Sequence, residues 1–135
     1  EGARWTHVFT RRGMVPHAGD SYFMPRIIPF HRLNEIALLS EPIPSETLHQ
    51  WGLVNRLVPA ADVVATALQL AGTLAEGPTR ALAMTKRLYR RSIDSDIATA
   101  FEAERTAQAL ISTTSDRREG VQSLIERRPA NFVGD

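Results

Sequence analysis

From residue 60 onward, helix breakers divide the chain into stretches whose apolar residues recur at helical spacing. No other feature limits the fold as strongly. Val64, Ala67, Leu68, Ala71, Leu74 and Ala75 fall at i, i+3, i+4, i+7, i+10 and i+11, one stripe along a helix predicted from about Ala61 to Glu76. Gly77-Pro78 stops that helix, and Pro78 suits the first turn of the next. The buried face of this second helix is predicted to be Ala81, Met84, Thr85 and Leu88. A third helix, capped by Asp94 or Ser95, turns Ile97, Ala100, Phe101, Ala107, Leu110 and Ile111 inward. A fourth is capped by Thr114 or Ser115. It carries Asp116 and Glu119 in its first turn and Arg127 and Arg128 at its end, the order of charge that a helix dipole favours, and Pro129 terminates it.

The first 59 residues are punctuated differently. Trp5 to Phe9 reads as a short strand or strand end. Residues 10–30 form a Gly/Pro-rich turn region, with a short helix around Tyr22 to Ile28. His31 to Ser40 reads as a helix with Leu33, Ile36, Ala37 and Ser40 on one face, broken by Glu41-Pro42-Ile43-Pro44. Ser45 is expected to cap a helix from Glu46 to Trp51, ended by Gly52. Leu53 to Val58 is a β-like run. Strands are too few to make a sheet, and several helices are too short to be stable without something to pack on. The pattern is that of the helical end of a larger α/β fold, or of a protein that completes itself by oligomerising. The sequence has no Met start, so it is expected to begin inside a larger protein.

Composition closes several routes. The 16 Lys and Arg against 15 Asp and Glu give a net charge of +1, no whole-protein field for nucleic acid or acidic membranes. The basic cluster Arg80, Lys86, Arg87, Arg90 and Arg91 is read as a solvated helix face. No apolar run approaches the roughly 20 residues of a membrane span. Glu1 to Trp5 lacks the basic start and apolar run of a signal peptide, so a cytoplasmic location is expected. There is no cysteine, which excludes disulfides and thiol nucleophiles, and the four histidines have no ligand spacing, so no metal site is expected.

Chemistry concentrates in one turn, Gly13-Met14-Val15-Pro16-His17-Ala18-Gly19-Asp20-Ser21. A rigid proline, a flexible glycine and one imidazole in so short a span can bring backbone and side chain close to a bound substrate. His17 has two readings. It is a general acid or base, since an unperturbed imidazole titrates near ~6.5, or it is a solvated turn residue with no proton to move. Asp20 reads first as an N-cap for the Ser21–Ile28 segment, and second as a group that orients His17 or acts itself. Phe9, Val15, Pro16, Tyr22 and Phe23 are candidates for the wall of an apolar substrate pocket, and equally candidates for plain core.

The order of segments resembles the C-terminal half of the crotonase superfamily, the enoyl-CoA hydratase/isomerase family. The resemblance rests on Gly13-Met14-Val15-Pro16-His17-Ala18-Gly19, Pro25-Arg26-Ile27-Ile28, Leu38-Leu39-Ser40-Glu41 and Gly52-Leu53-Val54-Asn55-Arg56-Leu57-Val58-Pro59. It continues through Gly77-Pro78, Thr85-Lys86, Asp116-Arg117-Arg118-Glu119-Gly120 and Glu126-Arg127-Arg128-Pro129 to Phe132. It implies an α/β fold, a spiral of ββα units of which this chain is mostly the helical C-terminal part with few strands. Residues 1–59 would end the core and carry the active-site turn; residues 60–135 would form a helical trimerisation region. The implied ligand is an acyl-CoA thioester, with coenzyme A as part of the substrate and no other cofactor. The implied assembly is a homotrimer or a dimer of trimers.

The implied chemistry is an oxyanion hole of two backbone N–H groups that stabilises a thioester enolate, with a side-chain acid or base moving a proton. In the family those donors lie in the N-terminal half, so this chain is expected to carry part of an active site and to be inactive alone. Arg127 occupies a family position where a base from a neighbouring subunit approaches the CoA phosphates; its other reading is helix-end electrostatics. The departures are specific. Hydratases of the family carry a glutamate seven residues before the turn proline, where this chain has Phe9. Some isomerase-like members carry an aspartate after the proline, where this chain has His17. Asp20, Pro29 and Ser40 replace family glycines. The resemblance therefore implies an acyl-CoA-processing enzyme with proton transfer by His17, or a non-catalytic acyl-CoA-binding or assembly member of the same fold.

Overall fold

A computed structural model describes residues 1–135, which form two compact units, Glu1–Val64 and Ala65–Asp135. Helices dominate, as the periodicity predicts. In the first unit the elements are β1 (Arg4–Trp5), α1 (Asp20–Phe23), α2 (Phe30–Leu39), β2 (Ile43–Pro44) and α3 (Ser45–Gln50), with 3₁₀ turns at Thr10–Arg12, Met24–Arg26 and Ala60–Asp62. The only sheet is the antiparallel pair β1–β2, with Arg4 opposite Pro44 and Trp5 opposite Ile43. Of the strand predicted over Trp5–Phe9 only Trp5 is in a strand, β1 being Arg4–Trp5; continuing the antiparallel register past Trp5 brings Thr6 opposite Pro42, which has no N–H for the ladder.

The core of this unit is Ile28, Leu33, Ile36, Ile43 and Leu48, with Trp5, Met24, Trp51, Leu53 and Val54 packed against it. Burying each large aliphatic side chain contributes roughly 1.5–3 kcal/mol. Leu33 and Ile36 lie inward on α2 as their spacing predicts. Ser40, a predicted member of that face, is fully buried and closes α2 in the left-handed region at φ 54°. Its hydroxyl lies 2.8 Å from that of Thr10, and Thr10 Oγ1 donates to the Ala37 carbonyl at 2.7 Å. These bonds hold a serine where the left-handed C-cap favours glycine.

Two expectations fail here. Leu53–Val58 is not a strand, since the Leu53 and Val54 N–H groups fold back onto the Leu48 carbonyl and leave nothing for a ladder. Ser45 is not a cap but the first residue of α3, because its N–H is drawn to the Ala3 carbonyl at 2.9 Å, which places Pro44 at the cap.

The second unit takes in most of α4 (Val63–Ala75) and all of α5 (Thr79–Ser92), α6 (Ile97–Ile111) and α7 (Ser115–Glu126). α5 and α6 pack side by side, and Ala107 is the buried apolar residue of the pair. Asp96, not Asp94 or Ser95, caps α6: it accepts from the Thr99 N–H at 3.0 Å and from its hydroxyl at 2.7 Å. Ser95 belongs instead to the turn that ends α5, where its hydroxyl donates to the Arg91 carbonyl. Thr114 caps α7 as predicted, accepting from the Arg117 N–H at 3.1 Å. Several residues of the predicted inward faces stand exposed on this chain, among them Val64, Leu68 and Leu74 on α4 and Ile97, Phe101 and Leu110 on α6. No helix is long and apolar enough to cross a membrane.

Candidate functional site

The turn carrying His17 is fastened at its entry by backbone. The Phe9 carbonyl accepts from the N–H groups of Arg12 at 3.0 Å and Met14 at 2.9 Å. Ala18 and Gly19 then both take left-handed conformations, φ 57° and 85°, which swing the chain into α1. Ala18 adopts this conformation at a steric cost that glycine avoids. A Cβ on Gly19 would stand 3.0 Å from the Phe23 ring, so the approach of that ring also requires glycine. His17 itself is exposed, its carbonyl accepts from the Asp20 N–H at 3.1 Å, and its ring meets Phe9 edge-on with centroids 4.9 Å apart.

Asp20 behaves differently from its first sequence reading. The N-cap of α1 is Gly19, Asp20 lies inside the helix, and no side chain caps it. Its carboxylate turns instead to His7, whose Nε2–H donates to Oδ2 at 3.0 Å. Gly19 takes the capping position in the left-handed region, and Asp20 follows as the first residue of the helix. The second reading needs adjustment too, because the imidazole that Asp20 holds is His7.

His7 is the residue that sequence reasoning missed. It is 1% exposed, and its Nδ1 is buried without a hydrogen-bond partner. Its ring meets Trp5 at 5.7 Å and Phe9 at 4.8 Å, both edge-on. Trp5, His7, Phe9 and His17 thus form one file of ring contacts. The signal was present as an every-second-residue pattern, Trp5-x-His7-x-Phe9, which places three rings on one side of an extended segment.

Of the other candidates for a pocket wall, Phe9, Pro16 and Tyr22 are half-buried, Phe23 is at the margin of exposure, and Val15 is 79% exposed. Tyr22 and Phe23 meet edge-on at 5.1 Å, and the Arg26 guanidinium stacks over the Tyr22 ring at 3.7 Å. The fold therefore brings His17, Phe9, His7 and Asp20 together, with Tyr22 and Phe23 on the following helix. No three His, Asp or Glu side chains converge in a way that could hold a metal ion.

In the second unit Arg127 is exposed and closes α7 in the left-handed region, φ 54°. Arg128 does not simply face the helix end. It forms a bidentate pair with Glu119 and also meets Glu126. Arg128, followed by the Asn131 N–H, holds the Glu119 carboxyl down to about 2. Glu126 is lowered by Gln122 first and Arg128 second, and Arg128 is raised by the two carboxylates. The C-terminal tail is further tied by Asp116, 3% exposed, which accepts from the N–H groups of Val133 at 2.8 Å and Gly134 at 3.0 Å.

The family description enoyl-CoA hydratase/isomerase matches residues 1–135. The chain is 30% identical over 132 residues to the 1,2-epoxyphenylacetyl-CoA isomerase of Escherichia coli (strain K12), covering 98% of this chain and 50% of that protein. It is 28% identical over 134 residues to the 2,3-dehydroadipyl-CoA hydratase of the same organism, covering 99% of this chain and 52% of that protein. Among solved structures, an enoyl-CoA hydratase of Mycobacterium marinum superposes with a TM-score of 0.91 at 27% identity, covering 99% of this chain and 55% of that chain. The chain thus spans about half the length of the relatives it matches.

Proposed function

Because the chain belongs to the enoyl-CoA hydratase/isomerase family over its whole length, we propose that it works as the C-terminal half of an acyl-CoA-processing enzyme in which His17 moves the proton. The observation that carries this is the placement of His17, exposed at the tip of the turn with its ring against Phe9, in the position where the resemblance puts an acid or base. An imidazole there supplies a donor and an acceptor near neutral pH. The oxyanion donors that polarise the thioester carbonyl would come from the N-terminal half of the family's fold. Phe9 and Tyr22 would wall the acyl group, with Phe23, Val15 and Pro16 beside them. Arg127 would meet the CoA phosphates of a neighbouring subunit. The exposed apolar residues of α4 and α6 would be covered in a trimer or a dimer of trimers, since contiguous apolar surface of this kind marks interfaces.

A second reading has its own observation. Phe9 stands where the family's hydratases carry a glutamate, so the two-glutamate addition of water is not available to this turn. A non-catalytic acyl-CoA-binding or assembly protein fits that replacement. The test is an assay of the intact protein on 2-enoyl and 3-enoyl thioesters, with calorimetric titration of the same thioesters. Turnover of either class supports the enzyme; binding without turnover of both selects the second reading.

A further inference from the structure

Two routes fix where His17 stands, and both begin at His7. One runs through rings: His7 meets Phe9 at 4.8 Å, and Phe9 meets His17 at 4.9 Å. The other runs through a hydrogen bond: His7 Nε2–H holds Asp20 Oδ2 at 3.0 Å, and the Asp20 N–H holds the His17 carbonyl at 3.1 Å. Together they close a ring of contacts around the turn. The entry of the turn is secured by the Phe9 carbonyl and by Thr10, which is anchored to α2. The next backbone bond donated by the turn after Met14 is that of Asp20, so residues 15–19 depend on what happens at the two ends.

His7 sets a polar ring among aromatic ones, with its Nε2 at hydrogen-bond distance from Asp20. It lies between Trp5 and Phe9 with Nδ1 buried and unpaired. An apolar side chain would fill that space and leave no polar atom without a partner. What the imidazole adds is one N–H aimed at Asp20. A hydrogen bond to a carboxylate is among the stronger ones available to a side chain, and it is directional.

We propose that the His7–Asp20 pair is a latch that sets the position of the His17 turn, which makes His7 a positioning residue for the proton transfer assigned above. The proposal rests on that assignment for its effect on rate, while the latch itself can be judged without it. Misplacing a reacting group by about 1 Å costs up to about 10²-fold in rate. In the intact protein, His7→Leu and Asp20→Ala should each lower kcat by about 10- to 100-fold with KM within about threefold. The double variant should be no worse than the poorer single, because both break one bond. His7→Gln, whose amide N–H reaches toward Asp20, should recover most of the loss.

Full kcat in His7→Leu would overturn the proposal. So would a loss that His7→Gln leaves untouched, or single losses that multiply in the double variant. A second readout is the ring contact of His17 with Phe9, followed by NMR with selectively labelled rings. It should vanish in His7→Leu and Asp20→Ala and persist in His7→Gln; its persistence in the first two would overturn the latch. If the wild-type protein turns over no thioester, the acyl-CoA chemistry fails, and this ring contact alone decides whether the latch exists.

Discussion

Replacing Asp116 tests how the C-terminal tail is held. Asp116 lies in the first turn of α7, is 3% exposed, and accepts from both Val133 and Gly134 N–H groups at 2.8 and 3.0 Å. Hydrogen bonds to a charged group contribute about 1.5–3 kcal/mol each, and two on one carboxylate are less than additive. If the tail keeps its place in Asp116→Ala, the loss is therefore about 2–4 kcal/mol. If the tail lifts, the packing of Phe132 near Gly120 goes as well, and the backbone entropy regained by the freed residues offsets part of the loss. The net cost then falls to about 1–2 kcal/mol. Denaturant unfolding of the intact protein measures the total, and amide hydrogen exchange at Val133 and Gly134 distinguishes the two cases. Asp116→Asn should recover less than half, since its amide NH₂ faces one of the two donors. A change below about 0.5 kcal/mol with protection of both amides intact would refute the reasoning.

The Glu119–Arg128 pair gives a pH dependence of definite sign. The folded-state value of Glu119 lies at about 2, below its ordinary 4.5, so its contribution is present above that ordinary value and is lost as pH falls toward about 2. NMR titration should show residues 128–131 loosening across that window, and Glu119→Gln should abolish the acid-dependent step; an unchanged step would place its origin elsewhere. The 135-residue chain alone should turn over neither 2-enoyl nor 3-enoyl thioesters, because a missing oxyanion donor costs on the order of 10²–10³ in rate. Rates usual for enzymes from this chain alone would contradict that. Sedimentation of the intact protein should show a trimer or a dimer of trimers, and a monomer at micromolar concentration would refute the interface reading of α4 and α6.

What the sequence revealed followed from local physics. Leu33 and Ile36 face inward together because residues three apart lie on one face of a helix, and Thr114 caps α7 because its hydroxyl reaches an N–H three residues on. Where two local solutions competed, sequence alone could not decide. Asp94, Ser95 and Asp96 are all able to cap, and only the turn that ends α5 selects Asp96. Leu53–Val58 has strand composition, yet a strand exists only if a neighbour accepts its ladder. The site shows the same division. The turn and His17 could be read from Gly, Pro and His in close order. The pairing of Asp20 with His7 across 13 residues depends on how the turn folds back, and no spacing rule contains it.

The central claim is that His17 moves the proton, and His17→Ala in the intact protein tests it most directly. Steady-state kinetics on the thioester that the wild type turns over, with the dissociation constant measured separately, should show kcat lowered by roughly 10²–10⁴ and binding nearly unchanged, as expected for loss of a general acid or base. Full kcat in that variant would show that His17 is only a turn residue, and that the reaction uses a group elsewhere.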